Sequence, residues 1–264
     1  MIKVFAITLG IILAPINLVS AMSSEAFEKT NGLIQNQNIE SAFKLLKQSQ
    51  SESNRLSARA SLMFGKIYLE IGQPNKASEY FEKVLFETST LDSEAYAGLA
   101  RAALELGNVY EARQYAFEAL EANPDSVEAK IASALSTAEF SEADEIDKQF
   151  TAAIKSDWMN NYAARMYASY LLKRGKTSKA EEVIRTALIK NGEDAPTFAI
   201  MADILWAKGD MSKSVEMRIE AERLYRDSGN TIKANEMVAR LNFEVAPKLK
   251  ERNENTKPRQ SLRK

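Results

Sequence analysis

Residues 93–126 read SEAYAGLARAALELGNVYEARQYAFEALEANPDS, and this stretch decides the fold. In it Gly107 is followed five residues later by the small residue Ala112. The same glycine-to-small-residue step recurs as Gly72 and Ala77, Gly175 and Ala180, and Gly209 and Ser214. Successive glycines in this set lie 35, 68 and 34 residues apart, so the spacing corresponds to one or two periods of about 34 residues. A period of this length is typical of stacked helix–turn–helix repeats.

The quoted stretch resembles the tetratricopeptide repeat. It has residues of the expected kind where that family places a large aromatic, a leucine and small-residue pair, a turn glycine, close-packing alanines and a terminal proline. These positions are Tyr96, Leu99, Ala100, Gly107, Ala112, Ala116, Ala119 and Pro124. The resemblance implies an all-α, TPR-type helix–turn–helix solenoid, in which the turn glycine adopts a positive φ and small residues allow two helices to cross closely.

The glycine-to-small-residue step also divides the chain into segments. We expect a solenoid over residues 22–228, a capping helix at 229–246 and a basic tail at 247–264 that is predicted to be disordered. The solenoid is predicted to contain a degenerate first repeat followed by five better ones, at 23–57, 58–92, 93–126, 127–160, 161–194 and 195–228. About five to six stacked repeats give each helix pair a neighbour against which to bury its apolar face.

Three repeats depart from the pattern. The first has Asn36-Gln37-Asn38 in place of the turn glycine. The fourth, 127–160, has Ser141 where glycine is expected and Ile146 where alanine is expected, which predicts a distorted turn. The sixth, 195–228, has Arg218 at a normally apolar position, which predicts a more exposed second helix.

Residues 1–21 have the pattern of a secretory signal peptide. Lys3 precedes the apolar run 4–13, Pro15 interrupts it, and small residues end at Ala21, after which cleavage is expected. The alternative is an uncleaved membrane anchor, for which this run is short of the roughly 20 residues that span a bilayer. Because the chain has no cysteine for a lipid anchor and no Asn-x-Ser/Thr sequon, we predict a periplasmic location in a bacterium.

The residue types argue against catalysis. With no histidine and no cysteine, the chain lacks the commonest general base, the thiol nucleophile and the usual transition-metal ligands. The acidic cluster at 139–147 lacks the loop spacing of a calcium site and is interpreted as a solvated turn and helix start. We therefore predict no enzymatic activity, no cofactor and no metal site.

The charge is unevenly distributed. The formal net charge is −1, but residues 247–264 carry seven basic and two acidic side chains, which leaves the rest of the chain acidic. An acidic body makes nucleic acid an unsuitable partner. The basic tail is suited to peripheral contact with a membrane or an acidic protein, and a solvated end is the simpler alternative.

In tetratricopeptide solenoids one face of each repeat's first helix lines the concave wall. Mapped onto this chain, that face is apolar with scattered basic residues, and the residues predicted to bind a partner are Arg59, Lys66, Arg101, Tyr162, Arg165 and Trp206. Such a wall suits a protein segment with apolar anchors and acidic side chains or a free carboxylate. The alternatives are that these side chains pack against neighbouring repeats, or that the chain's own C-terminal segment occupies the wall.

These features together predict an exported, non-enzymatic scaffold for protein–protein interaction that assists assembly of a bacterial envelope machine such as a pilus or secretion system. In size, repeat number and export signal the chain resembles the small repeat proteins of tight-adherence (Flp/Tad) pilus assembly loci. Two alternatives stay open. One is a periplasmic chaperone or adaptor for exported polypeptide or polysaccharide, and the other is a regulatory subunit of an envelope enzyme.

Overall fold

A computed structural model of the chain describes residues 22–49, 57–138, 140–156 and 161–255, with side chains described as far as Phe243. Within these ranges the chain forms thirteen helices and no strand, which confirms the predicted all-α solenoid. The predicted signal segment 1–21 lies outside the described residues, as does the end of the predicted tail at 256–264. No described helix is both long enough and apolar enough to cross a membrane.

The first twelve helices form six consecutive pairs, and a single long helix follows them. Their bounds are α1 Ser24–Gln35, α2 Ile39–Gln48, α3 Ala58–Glu70, α4 Pro74–Glu87, α5 Asp92–Glu105, α6 Val109–Ala122, α7 Val127–Thr137, α8 Ala143–Ser156, α9 Tyr162–Lys173, α10 Thr177–Asn191, α11 Ala195–Ala207, α12 Met211–Asp227 and α13 Thr231–Asn255. The sequence prediction ended the capping helix at residue 246, whereas α13 continues to Asn255.

Turns between paired helices show why glycine recurs. After α5, Gly107 has a φ of +81°, a left-handed conformation that costs glycine nothing because it has no Cβ. This lets the Asn108 N–H donate back to the Ala103 carbonyl at 2.8 Å, which satisfies a carbonyl that the ending helix leaves without a partner. The chain then reverses within a few residues, so α6 packs back against α5.

Small residues set how closely neighbouring repeats approach. The ring of Phe81, on α4, is fully buried between α3 and α5. A Cβ added at Gly65 would lie 2.5 Å from this ring, and one added at Gly98 would lie 2.4 Å from it. These separations are shorter than side chains tolerate, so the two glycines are required for Phe81 to wedge between the helices.

First helices of successive repeats also contact one another, which places them on the inner side of a curved stack. Between α5 and α9 lies α7, a short helix of eleven residues that is rich in alanine and serine. After it, Ile146 fills the expected alanine position and is fully buried. Past the small side chains of α7, Arg101 on α5 reaches the Tyr162 ring on α9, so the stack is curved at its fourth repeat.

The curvature brings the two ends of the solenoid together. The Asn230 side-chain amide, in the turn before α13, donates to Gln37 Oε1 at 3.3 Å, although the two residues are 193 positions apart. In the same place, a Cβ on Gly229 would lie 3.1 Å from Asn38 Oδ1. The described repeats therefore close into a ring, with the turn of the first repeat against the turn that follows the last.

The prediction of a more exposed second helix in the sixth repeat, 195–228, is wrong. Arg218 is only 1% exposed, and its guanidinium donates to Asp203 Oδ1 on α11 at 3.0 Å. Arg240 on α13 donates to the same carboxylate at 2.9 Å. An acidic partner on the neighbouring helix thus allows an arginine to take a position that is normally apolar, and the same carboxylate joins α13 to the last repeat.

Candidate functional site: the inner wall

The inner wall is defined here as the inward-facing side chains of α1, α3, α5, α9 and α11. The structure places the predicted partner-binding residues on these helices, with Arg59 and Lys66 on α3, Arg101 on α5, Tyr162 and Arg165 on α9, and Trp206 on α11. All are half-buried except Arg59, which is exposed. They therefore share one lining, contributed by helices that are far apart in the sequence.

Each basic residue of this set reaches a polar group on a neighbouring first helix. On the first two repeats, Arg59 Nη1 donates to Ser24 Oγ at 3.0 Å, and Lys66 Nζ donates to Asn31 Oδ1 at 3.5 Å. Both pairs are 35 residues apart, which is one repeat. The basic side chains thus bridge adjacent repeats along the wall.

Arg101 lies at the centre of the wall and holds two carboxylates. Its Nη1 donates to Glu70 Oε1 at 3.0 Å, and its Nε donates to Glu105 Oε1 at 3.3 Å. The Arg101 side chain is 31% exposed and that of Glu70 is 20% exposed, so the pair is partly sheltered from solvent. Partial shelter strengthens the attraction relative to a pair on the open surface.

Tyr162 lies between the guanidinium groups of two arginines. The Arg101 guanidinium carbon is 5.9 Å from the Tyr162 ring centroid, and that of Arg165 is 5.8 Å from it. Because aromatic faces attract cations within about 6 Å, the ring joins α5 to α9 across α7. The three side chains form a continuous cation–aromatic–cation layer on the inner wall.

Asp194 positions Arg165 from the adjacent repeat. It is the N-cap of α11, where its Oδ1 accepts from the Thr197 N–H at 2.9 Å, and it also accepts from Arg165 Nη1 at 3.1 Å. The Asn161 amide donates to the same carboxylate. Because these contacts hold Asp194 in place, Arg165 has a firmly positioned acidic partner.

The two carboxylates beside Arg101 have opposite pKa shifts. Burial raises the pKa of Glu70, but the charge of Arg101 and its hydrogen bond outweigh burial and hold the pKa below the ordinary value. At Glu105 burial prevails over the attraction of Arg101, so the pKa lies above the ordinary value. Glu70 is therefore the strongly held partner of Arg101 and Glu105 the weakly held one.

Sequence reasoning identified the basic residues of the wall but not the acids Glu70, Glu105 and Asp194 that pair with them. A signal for two of these acids was present, since Glu70 and Glu105 end equivalent helices 35 residues apart, which is one repeat. The part of the wall around Tyr162 consequently consists of ion pairs made by Arg101 and Arg165, whereas Arg59 and Lys66 bond to the uncharged side chains of Ser24 and Asn31.

Outside the inner wall, a shallow outer groove lies between α8 and α10. Asp147 in this groove accepts from the Tyr167 hydroxyl at 2.7 Å and also pairs with Lys179. Burial and the bond to Asp147 raise the pKa of Tyr167 to about 12. Asp147, Tyr167 and Lys179 are thus bonded within the groove, and no cluster of acidic side chains among the described residues is arranged to hold a metal ion.

Comparisons with known proteins agree with this architecture. Residues 62–127 match the family model of the tetratricopeptide repeat. No curated protein sequence is significantly similar to the chain. Residues 62–127 therefore carry tetratricopeptide repeats, and the described part of the chain has the fold of a tetratricopeptide-repeat solenoid.

Solved structures with the same fold share little sequence with this chain. A thermophilic tetratricopeptide protein from Thermus thermophilus is 16% identical with a TM-score of 0.59, over 72% of this chain and 100% of that one. A tetratricopeptide repeat protein from Parabacteroides merdae is 16% identical with a TM-score of 0.56, over 79% and 83%. NprR in complex with its cognate peptide NprX is 16% identical with a TM-score of 0.60, over 88% and 76%. At these identities the likeness is one of fold.

Proposed function

We propose that this protein is a non-enzymatic scaffold that binds a segment of another polypeptide on its inner wall. Tetratricopeptide-repeat proteins generally mediate protein–protein interaction, and the structural relative NprR was solved with a bound peptide. The observation that carries the proposal is the layer of Arg101, Tyr162 and Arg165, which two repeats on either side of α7 contribute to one small, half-buried surface. Partly buried arginines and tyrosines are the residue types that dominate binding energy at protein interfaces.

The ion pairs on the wall indicate how a partner would be recognised. A carboxylate of the incoming segment would take the place of Glu105 at Arg101, because Glu105 is the weakly held of the two acids. Arg101 would still keep Glu70, so its guanidinium would stay paired during the exchange, and the displaced Glu105 can turn toward solvent because its side chain is 34% exposed. Apolar side chains of the same segment would contact Tyr162 and Trp206. The partner class that follows is a polypeptide segment with acidic and apolar side chains.

The proposal also covers where the protein acts and which kind of assembly it serves. The signal pattern of residues 1–21 supports export to a bacterial periplasm, and a scaffold at that place would serve an envelope machine such as a pilus or secretion system. Appending residues 1–30 to a reporter enzyme that is active only after export tests the first part. Activity that disappears when Leu9 and Leu13 are replaced by arginine would support export, and activity retained by that variant would contradict it.

Covalent capture in cells tests the inner wall directly. A photoreactive amino acid replaces Trp206 on the wall, and a matched variant carries it at Phe117, an aromatic residue on α6 that is 61% exposed. We expect position 206, and not 117, to capture one dominant envelope polypeptide that mass spectrometry identifies. A broad set of captured proteins at 206 would instead indicate a chaperone, and capture only at 117 would contradict binding on the inner wall.

Neutral variants then test the basic residues. Replacing arginine by glutamate would place like charges beside Glu70, Glu105 and Asp194 and would destabilise the fold, so binding loss would be ambiguous. Glutamine removes the charge and keeps a hydrogen-bonding group. We expect Lys66→Gln, Arg101→Gln and Arg165→Gln together to weaken binding of the captured partner at least tenfold. The matched exposed set Lys190→Gln, Arg113→Gln and Arg223→Gln should leave binding unchanged, and equal affinities for both sets would contradict the proposal.

A further inference from the structure

The closure of the solenoid rests on a small group of side chains at its two ends. Asn230 Nδ2 donates to Gln37 Oε1 at 3.3 Å, and Gln37 Nε2 donates to Glu70 Oε2 at 3.4 Å. Asn38 lies against Gly229, where an added Cβ would approach to 3.1 Å. Gln37, Asn38, Gly229 and Asn230 together are called the clasp below.

Gln37 is held in an unfavourable backbone conformation. Its φ is +60°, and among the described residues every other positive φ belongs to a glycine. Glycine stands at the equivalent position of the next repeat, Gly72, which has no side chain to reach across. A glutamine that is kept in a left-handed conformation points to a role for its side chain, and the contact its side chain makes is the clasp.

The clasp is connected to the candidate binding surface. Glu70 accepts from Gln37 with one carboxylate oxygen and from Arg101 with the other, so the chain of contacts runs from Asn230 through Gln37 and Glu70 to Arg101. Lys233, three residues beyond Asn230, also acts electrostatically on Glu105. Any movement of Glu70 that accompanies partner binding therefore reaches the clasp through two hydrogen bonds.

The clasp is also weak. The two ends are joined in it by one hydrogen bond between uncharged amides and one approach of Asn38 to a glycine, and none of its four residues carries a charged side chain. Gln37 and Asn38 are half-buried, and Asn230 is 3% exposed. Elements joined in this way open more readily than the apolar layers between repeats. A ligand that binds the open form more tightly than the closed form shifts such an equilibrium toward the open form.

We propose that the clasp holds the free protein as a closed ring, and that a partner segment must part the clasp to enter the inner wall. The proposal rests on the proposed function, because it assigns the regulation of the same site. Because the two ends of the stack contact each other at the clasp, a partner segment reaches the inner wall only after the clasp has parted, so the clasp limits the rate of capture.

Distances between two spin labels test the clasp in the free protein. The chain has no cysteine, so Glu40→Cys on α2 and Asn235→Cys on α13, both exposed, label one site on each side of the clasp. We expect a single short distance in the parent, and a longer, broader distribution when Gln37→Gly is added. This variant removes the side chain and relieves the backbone, so opening cannot be attributed to a distorted turn.

Two further variants complete the distance experiment. Asn230→Ser keeps an oxygen that can accept from the Lys233 N–H as the N-cap of α13, but it is too short to reach Gln37, so it should also open the ring. Gln73→Ala, an exposed turn glutamine one repeat later, should leave the distance unchanged. A distance that stays the same in both clasp variants would overturn the proposal, as would a broad distribution in the parent.

The accessibility of the inner wall to a bulky reagent tests whether the clasp limits entry. Ser169 lies on the wall face of α9, one turn beyond Arg165, and Ser169→Cys gives the chain a single thiol. We expect a bulky polyethylene glycol maleimide to modify this thiol several-fold faster when Gln37→Gly is present, while Ser178→Cys on the exposed start of α10 reacts at one rate in both backgrounds. Equal rates for Ser169→Cys with and without Gln37→Gly would overturn the gating role. Equal rates would not affect the proposed function, because capture of a partner at position 206 tests it separately. Failure of that capture, together with faster modification of Ser169→Cys in the Gln37→Gly background, would contradict the proposed function alone.

Discussion

The apolar layer around Phe81 and the ion-pair layer around Arg101 lie side by side, but they have different roles. The first is buried, with a fully enclosed ring wedged against Gly65 and Gly98. The second is half-exposed and is held by partners that can be exchanged, since Arg101 contacts both Glu70 and Glu105. The comparison teaches that the stack is held by packing, while the charges on its inner side are available for recognition.

Among the variants that test this difference, Phe81→Ala is expected to lower the stability most. It empties a site where the ring has no exposed surface, so the free energy of unfolding should fall by about 3–5 kcal/mol in urea denaturation. Phe117→Ala, which removes the same side chain from a 61% exposed position, should stay within about 0.5 kcal/mol of the parent. Similar losses in the two variants would show that the layer around Phe81 is not the core of the stack.

Gly98→Ala tests the close approach with a single methyl group. The new Cβ would lie 2.4 Å from Phe81, so the ring must shift and stability should fall by about 1–3 kcal/mol. Gly32→Ala, in α1, is the matched control because nothing lies within 4 Å of its added Cβ. There the better helix propensity of alanine should raise stability by about 0.5–1 kcal/mol. A stabilising Gly98→Ala, measured by thermal unfolding, would contradict the wedge.

A double-mutant cycle measures the ion-pair layer. Arg101→Gln and Glu70→Gln, alone and together, should give a coupling of about 1 kcal/mol, since the pair is partly sheltered and carries a charged hydrogen bond. The same cycle at Arg226 and Glu222, an i, i+4 pair on α12 with the arginine 54% exposed, should give about 0.3–0.5 kcal/mol. Equal couplings would mean that the inner wall does not shelter its charges.

The smallest expected effect is on the pH dependence of folding stability, which distinguishes Glu70 from Glu105, the two carboxylates that Arg101 contacts. Glu70 has a lowered pKa, so its contribution to stability is present above its ordinary value of 4.5 and is lost as pH falls through the lowered value. Glu70→Gln should therefore lose less stability than the parent between pH 7 and pH 3. Glu105 has a raised pKa and disfavours folding at neutral pH, so Glu105→Gln should be the more stable at pH 7 and lose that advantage on acidification. Unfolding curves at several pH values check both signs, and identical pH profiles for the two variants would contradict them.

Much of the fold was predictable because it depends on local spacing. The 34-residue period, the turn glycines and the alanines of residues 93–126 each act within one repeat or between adjacent repeats. The basic half of the candidate site was predictable for the same reason, since Lys66, Arg101 and Arg165 fall at fixed positions on first helices. The sixth repeat was misjudged because the partner of Arg218, Asp203, lies on a different helix, fifteen residues away.

The sequence by itself determined that the chain is an all-α solenoid of tetratricopeptide type, because side-chain size repeats with the period of the structural unit. It also predicted which positions of the first helices line the inner wall. Only the tertiary structure decided which side chains meet there, because Arg101 contacts Glu70 of the preceding repeat and reaches Tyr162 past α7. The contact between Gln37 and Asn230 depends on the geometry of every repeat, because the rotations between successive repeats must add up before residues 193 positions apart can touch.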